Sequence, residues 1–211
     1  KLSTTVIKTH GRERLEGVTI AKVDDKLQPI PGTEEYIECD TLLLSVGLIP
    51  ENELTKASMI SLDRITNGAV VDEMRQTDHD GIFACGNVLH VHDLVDYVTL
   101  EAQTAGEGAA EYIKNPVNTD DMKYIDTVPE NGVRYIVPQK IRLGEDDDVK
   151  LYFRVGAVFK NKKVVVKADG EVISSKKKIK LAPGEMENVV IPADVIKKLD
   201  ADSSITVRVE D

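Results

Sequence analysis

Apolar and polar residues follow a pattern that predicts β-structure over much of the first third of the chain. Residues 4–8 and 17–23 alternate on either side of a glycine-containing turn, which is the pattern of a β-hairpin. Residues 41–46 and 81–86 form nearly continuous apolar runs instead, and each run leads to a glycine. Such runs are typical of strands buried on both faces of a sheet. We therefore predict two buried strands here, with a shorter strand at 69–72.

The hydrophobic period changes to that of a helix at residue 95. Apolar residues recur at steps of three and four, which places them on one face of an α-helix. Asn115 and Pro116 then end the pattern. We predict a helix over residues 95–113 that carries these residues on one face, and a shorter helix that ends near Lys56. The recurring residues are Val95, Val98, Ala102, Ala105, Ala109 and Tyr112.

Beyond residue 123 the chain consists of short alternating segments separated by turn residues. Several strands at this spacing predict a β-sandwich. The predicted strands are 133–137, 149–158, 164–167, 176–181 and 205–209, with a helix at 193–199. We therefore predict two domains, an α/β domain at 1–118 and an all-β, sandwich-like domain at 123–211.

Composition and charge favour a globular protein and argue against a nucleic-acid-binding or membrane-spanning protein. The 211 residues are 41% hydrophobic, enough for a substantial core, and the net charge of −10 argues against nucleic acid as a partner. No run approaches the ~20 apolar residues of a membrane span, and the first residues lack the apolar centre of a signal peptide. We expect a cytoplasmic protein. Because the chain starts at Lys1 and already has strand character there, we also expect it to be a fragment of a longer polypeptide.

Candidate chemistry centres on the two glycines that follow the predicted buried strands. Ligands of open α/β sheets bind beyond the carboxyl ends of the strands, where glycine permits close approach of the backbone. Gly47 and Gly86 occupy such positions. The two cysteines, Cys39 and Cys85, lie far apart in sequence and lack the spacing of a redox pair or zinc knuckle. For Cys85 we favour packing in its apolar run over a role as a thiol beside a cofactor.

Two motifs resemble the flavoprotein oxidoreductases related to glutathione reductase, which contain two dinucleotide-binding domains. The first is Val-Gly-Leu-Ile-Pro-Glu-Asn at 46–52, in which Glu51 interrupts the family's Pro-Asn pair. The second is Thr77, followed by the apolar run 82–85 and Gly-Asn at 86–87, where the family has Gly-Asp before a helix rich in Ala and Gly. The resemblance covers roughly residues 1–115. It implies that the first domain is part of an FAD/NAD(P)-binding domain.

The resemblance also implies roles for residues that follow the second motif. In the family, the acidic residue after the glycine binds the ribityl chain of FAD, and the next helix begins beside the flavin. By position these roles fall on Asn87 and on the backbone of Leu94 and Val95. Asn87 carries no charge, which predicts altered flavin binding. The alternative is that Gly86 and Asn87 form only a strand-ending turn.

The phosphate-binding loops of the family, Gly-x-Gly-x-x-Gly after a strand, do not occur in this sequence. The nearest segment, at 106–111, lacks the third glycine and lies inside the predicted helix, so we interpret its glycines as packing residues. Such loops hold the pyrophosphate of a dinucleotide. We therefore expect the chain by itself to bind neither FAD nor NAD(P)H tightly and to be inactive alone.

His90 and His92 are the candidate catalytic residues. Their alternation places both on one side of an extended segment just after Asn87, an arrangement suited to proton relay. Ordinary loop histidines are the alternative. A metal site lacks a third ligand in the sequence, so we predict none.

The second domain contains no catalytic constellation, and we interpret it as a docking or oligomerisation module. The segments 135–140 and 183–187 resemble the C-terminal extension of bacterial flavoproteins encoded beside anaerobic glycerol-3-phosphate dehydrogenases. We predict that the intact protein passes electrons between NAD(P)H and an unidentified acceptor through FAD. The acceptor is a redox partner protein or a small molecule. The alternative function is a non-catalytic module that binds a protein through its β-sandwich.

Overall fold

The computed structural model describes residues 1–45 and 47–211, which form two compact units, Lys1–Gly47 and Leu48–Asp211. This packing boundary differs from the division at 118–123 expected from sequence character, because residues 48–118 pack with the β-rich region that follows them. The two units are described separately below.

The first unit is an antiparallel sheet of three strands in the order β1-β2-β3. The strands are β1 (Thr4–His10), β2 (Gly17–Lys22) and β3 (Glu35–Glu38). Pairing of β1 with β2 confirms the predicted hairpin. Val18, Ile20 and Ala21 of the central strand are buried, so β2 supplies most of the core of this unit.

The strand predicted at 41–46 is wrong for the residues that the structure describes. Residues 41–45 and Gly47 form no strand, and Leu43 and Leu44 are 90% and 74% exposed. Val46 lies outside the described residues. A strand buried on both faces needs a hydrogen-bonded neighbour on each edge. In this unit none of the described strands pairs with this segment.

The second unit begins with a short helix, α1 (Glu53–Ala57), as predicted, and contains the long helix α2 (Val95–Lys114). The predicted extent of α2 is confirmed to within one residue, and Ala105 of the predicted apolar face is buried. The buried residues are Glu101, Ala105 and Gly108, whereas Val95 is 75% exposed. A charged residue, Glu101, therefore lies on the face that packs inward. Within the described residues, no helix combines the length and apolar character needed to cross a bilayer.

The strands predicted at 69–72 and 81–86 are also wrong. Both segments make only isolated bridges, Leu62 with Ala69 and Gln76 with Phe83. Val71 is nevertheless fully buried, and its N–H donates to the side chain of Gln139. The ladder partners that turn an extended segment into a strand are absent from the described residues.

The remainder of this unit is rich in β-structure, as predicted, and consists of two sheets. The order is β10-β7-β5 in one sheet and β6-β4-β11-β8-β9 in the other. Among the strands that the structure describes, only β4 and β11 pair in parallel. The strands are β4 (Tyr124–Pro129), β5 (Val133–Val137), β6 (Lys140–Arg142), β7 (Val149–Val155), β8 (Phe159–Ala168), β9 (Glu171–Leu181), β10 (Glu187–Ile191) and β11 (Ser204–Glu210). A third helix, α3 (Ala193–Ile196), precedes the last strand.

Strand β5 connects two hydrophobic cores. Ile136 belongs to the core between the two sheets, together with Phe153 and Val207. Tyr135 and Val137 belong instead to a second core that includes Val71, Leu89 and Ile60 from the segment before α2. Because one strand is buried in both cores, residues 48–118 and the β-rich region fold as one compact unit.

Candidate functional site

A tight turn at residues 72–76 places Arg75 against α2. The Asp72 carboxylate accepts hydrogen bonds from the backbone N–H groups of Met74 and Gln76, at 3.0 and 2.9 Å. Arg75 has the left-handed backbone conformation, with φ of 69°. Helix α2 approaches this turn closely, since a Cβ atom added at Gly108 would lie 2.7 Å from the carbonyl oxygen of Met74. Gly108 is therefore a packing residue, in agreement with the interpretation of the 106–111 segment.

Glu101 of α2 lies at the centre of a buried polar cluster. One carboxylate oxygen accepts from Arg75 Nε at 3.1 Å and from His90 Nε2 at 3.0 Å. The other accepts from His92 Nε2 at 2.8 Å and from the backbone N–H of Gly86 at 2.8 Å. The side chains of Glu101 and His92 are fully buried, and those of His90 and Arg75 nearly so. We call these five residues the Glu101 cluster.

The hydrogen bonds determine where protons lie in the Glu101 cluster. A carboxylate only accepts, so each histidine Nε2 bonded to it carries a proton. Burial by itself would raise the pKa of Glu101, but hydrogen bonds from His90 and His92 and the charge of Arg75 outweigh it and hold the pKa well below its usual value. Burial lowers the pKa of His90, and the bond to Glu101 opposes this shift only in part. At neutral pH the cluster thus contains a carboxylate, a guanidinium and a neutral His90.

Three tyrosines surround the two histidines. The ring centroids of His90 and His92 are 4.3 Å apart, and the ring of Tyr152 lies about 6 Å from both. Tyr135 packs edge-on against His90, and Tyr97 lies against His92. Burial raises the pKa values of Tyr135 and Tyr152, so both hydroxyls stay protonated. The Glu101 cluster therefore lies in a low-dielectric environment. Proton transfer there depends on the polar groups of the cluster itself.

Potential metal-ligand atoms of His90, His92 and Glu101 lie within 4.8 Å of one another, so the structure supplies the third residue that the sequence did not reveal. The bonding pattern nevertheless favours proton chemistry. Both Nε2 atoms donate to the carboxylate, and neither Nδ1 atom has a hydrogen-bond partner among the described residues. Metal-binding histidines almost always donate their second nitrogen to a partner.

The residues predicted to bind cofactor fall into two groups. Gly86 is buried in the left-handed region, with φ of 72°, and begins a short 3-10 turn (Gly86–Val88). Asn87 is exposed, and its Oδ1 accepts from the backbone N–H of His92 at 3.1 Å. Leu94 and Val95, at the start of α2, are 54% and 75% exposed. The structure thus brings 86, 87 and 94–95 together with the two histidines, while Gly47 belongs to the other compact unit.

Cys85 lies beside this cluster without the features of a reactive thiol. The side chain is partly buried and forms no disulfide. Burial and then the negative charge of Glu101 raise the pKa of the thiol. Reactive cysteines have lowered pKa values. These observations agree with the interpretation of Cys85 as a packing residue.

A second buried ionic cluster joins the 72–76 turn to β6. The guanidinium of Arg142 lies 2.7 Å from the Asp72 carboxylate and donates to the side-chain oxygen of Gln76 at 2.9 Å. The backbone N–H of Arg142 donates to Glu73 at 2.8 Å. Burial raises the pKa of Asp72, while burial and the charge of Asp72 raise the pKa of Glu73 to about 8. One arginine thus serves two buried carboxyl groups.

We expect Glu73→Gln to stabilise the protein at pH 8. A carboxyl whose pKa is raised on folding contributes stability below its unfolded pKa, near 4.5, which is lost as the pH rises through about 8. Glutamine mimics the protonated form, so the variant should be more stable by about 1–3 kcal/mol at pH 8 and similar to wild type at pH 5. Urea unfolding across this pH range measures the difference. Glu107→Gln, at an exposed position of α2, is the control, and parallel pH profiles for Glu73→Gln and wild type would refute the expectation.

Comparison with known proteins places this site in a family. Residues 4–109, about half of the 211-residue chain, match the sequence profile of the pyridine nucleotide-disulphide oxidoreductases, and the chain belongs to this family. Membership assigns it to the flavoprotein oxidoreductases in general. The match includes both glycine motifs and the first 15 residues of α2, through residue 109. No curated protein matches the chain.

Proposed function

We propose that the intact protein passes electrons between NAD(P)H and an acceptor through FAD, and that residues 86–95 form part of the flavin pocket. The observation that carries this proposal is the position of the Gly86 turn. It connects the buried Glu101 cluster to an exposed helix start within the matched region. Family membership supports the cofactors, FAD and NAD(P)H.

The residues present fit the flavin end of the cofactor. The N-terminus of α2 carries a partial positive charge, and its first residues are exposed, so it favours negative charge on a reduced flavin. The Asn87 Oδ1 is occupied by His92, which leaves the amide N–H groups to donate to a ribityl hydroxyl. No phosphate loop occurs in this sequence. We infer that other parts of the polypeptide hold the pyrophosphate and the nicotinamide nucleotide.

The Glu101 cluster gives the proposed pocket a means of holding a proton. Bound FAD would supply hydride and single-electron chemistry, and its reoxidation would release a proton that a nearby group must accept. The neutral His90 can accept a proton, and the Glu101 carboxylate 3.0 Å away stabilises the resulting imidazolium. His92 shares the same carboxylate and lies beside the Gly86 turn. We therefore propose His90 and His92 as the proton-handling residues.

The β-rich region is proposed to mediate association with a redox partner or with other subunits, in a cytoplasmic protein. The outer strand β9 supports this role because it lies at a sheet edge and exposes Ile179 (84%) and Val172 (58%). We also propose, from the sequence resemblance of segments 135–140 and 183–187, that the protein is related to the flavoproteins encoded beside anaerobic glycerol-3-phosphate dehydrogenases.

Purified full-length gene product tests the proposed function. We expect it to be yellow, and we expect NADH or NADPH to bleach its flavin absorbance under anaerobic conditions.

Gly86→Val should lower flavin content at least about tenfold, because valine is strained at φ of 72°. Gly106→Ala, where an added Cβ meets no atom within 4 Å, is the matched control.

Two results would contradict the proposal. A colourless gene product that binds no added FAD and captures a protein partner would favour the non-catalytic module. Flavin content unchanged in a folded Gly86→Val variant, with folding checked by thermal unfolding, would remove Gly86 from the flavin pocket.

A further inference from the structure

A cleft in the second compact unit has a charge opposite to that of the whole protein. It encloses about 220 Å³ between the 48–50 and 65–67 segments and the strands β5 and β7. Two arginines, Arg134 and Arg154, line it, and none of the described residues that line it carries a carboxylate. The protein as a whole has a net charge of −10. A cationic cleft in an acidic protein concentrates anions locally.

The two arginines have different roles in this cleft. Arg154 is held in place, because it donates to the carbonyl oxygens of Val91 and Pro183 and pairs with Asp93. Its Nε also donates to the Tyr135 hydroxyl at 3.1 Å. Arg134 is exposed, and no carboxylate among the described residues lies within ion-pair distance of it. Arg134 is therefore the cation whose charge is available to a ligand.

One wall of the cleft is aliphatic, and the polar residues Thr66 and Asn67 lie beside it. Leu48, Ile49 and Ile65 contribute side chains that are 63%, 77% and 46% exposed. The volume lies below the roughly 300–1,000 Å³ usual for drug-sized ligands. The cleft thus combines one available guanidinium with an aliphatic wall in a small space. This combination fits a small molecule with an anionic end and an apolar body.

We propose that this cleft binds a small organic carboxylate, with the carboxylate on Arg134 and the hydrocarbon portion against Ile49 and Ile65. Arginine binds carboxylates through two parallel hydrogen bonds, and burial of the apolar portion adds to affinity. A free phosphate gains nothing from the apolar wall. His90, which also lines the cleft, connects it to the Glu101 cluster through its 3.0 Å bond to Glu101.

Calorimetric titration of the purified chain with hexanoate tests this site without any flavin, so its outcome is independent of the proposed oxidoreductase function. We expect saturable binding of hexanoate, with 1-hexanol and inorganic phosphate each binding at least about tenfold more weakly. Arg134→Gln should weaken hexanoate binding at least about tenfold. Arg12→Gln, an exposed arginine of the first unit, should leave it unchanged.

A second variant separates the contribution of the apolar wall to hexanoate binding from that of the Arg134 charge. Ile49→Ser should weaken hexanoate several-fold and leave the response to phosphate unchanged. The proposal is overturned if hexanoate shows no saturable binding, or if a folded Arg134→Gln variant binds it as tightly as wild type does. Phosphate binding that equals hexanoate binding and depends on Arg134 would also overturn it, since the cleft would then be a general anion site.

Discussion

Replacing Glu101 with leucine is expected to lower the free energy of unfolding by about 3–5 kcal/mol, the largest effect of any single substitution in the candidate site. Leucine leaves the buried guanidinium of Arg75 without a counterion. It also removes the acceptor of the Gly86 N–H and of both histidines. Glu101→Gln keeps the shape but not the charge, so its effect should be intermediate. Urea unfolding at pH 7 measures both.

The pH dependence of unfolding of the same variants tests whether the loss of the Glu101 carboxylate causes the loss of stability. A carboxyl whose pKa is depressed on folding contributes stability above its unfolded pKa, about 4.5, which is lost as the pH falls toward the folded value. Wild type should therefore lose stability below about pH 4.5 more steeply than Glu101→Leu does. Glu107→Gln, on the exposed face of α2, should resemble wild type within about 0.5 kcal/mol. A cost below about 1 kcal/mol for Glu101→Leu would show that the cluster contributes little to stability.

The second large effect is expected from Arg142→Met, which should cost about 3–5 kcal/mol at pH 8. The substitution removes the cation that faces the buried carboxyl groups of Asp72 and Glu73. Because the pKa values of both are raised, they take up protons as the pH falls. The cost should therefore be smaller at pH 5 than at pH 8. Thermal and urea unfolding at the two pH values measure this difference.

Arg208→Met is the matched control for Arg142. Arg208 also pairs with two carboxylates, Glu130 and Glu210, but its side chain is 31% exposed and theirs 39% and 35%. Partly solvated pairs contribute about 1 kcal/mol or less. An equal cost for the two arginine variants, or a cost for Arg142→Met that does not change with pH, would contradict the assignment.

These contacts explain why the β-rich region is not a separately packed module. Arg142 of β6 pairs with the 72–76 turn, and Gln139 exchanges hydrogen bonds with the backbone of Val71. Arg154 of β7 binds Val91 and Asp93, next to the two histidines. The segment that carries the family motif thus depends on the β-rich region for its position. Substitutions in β6 and β7 that break these contacts are expected to change the position of the residues of the candidate site.

Local periodicity in the sequence was sufficient for elements that depend mainly on their own residues. The step of three and four after residue 95 located α2 within one residue at its C-terminal end. Alternation located β5, β7 and β11 and the β1–β2 hairpin. The alternation pattern missed β3, β4, β6 and β10. Of these, β4 ends at Pro129, and β10 contains the polar residues Glu187 and Asn188. The segment around Gly86 and Asn87 was identified from its motif, and the family match includes it.

The sequence by itself determined which segments are helical, which alternate, and which family the glycine motifs belong to. Only the tertiary structure decided whether the apolar runs at 41–46 and 81–86 became strands, because a strand exists only where another segment supplies hydrogen-bond partners. It also decided the role of Glu101, which shares a helix face with Ala105 and Gly108 at steps of four and three. That spacing was visible, but a glutamate is buried only where cations and N–H donors converge on it, and Arg75, Gly86, His90 and His92 meet there through folding alone.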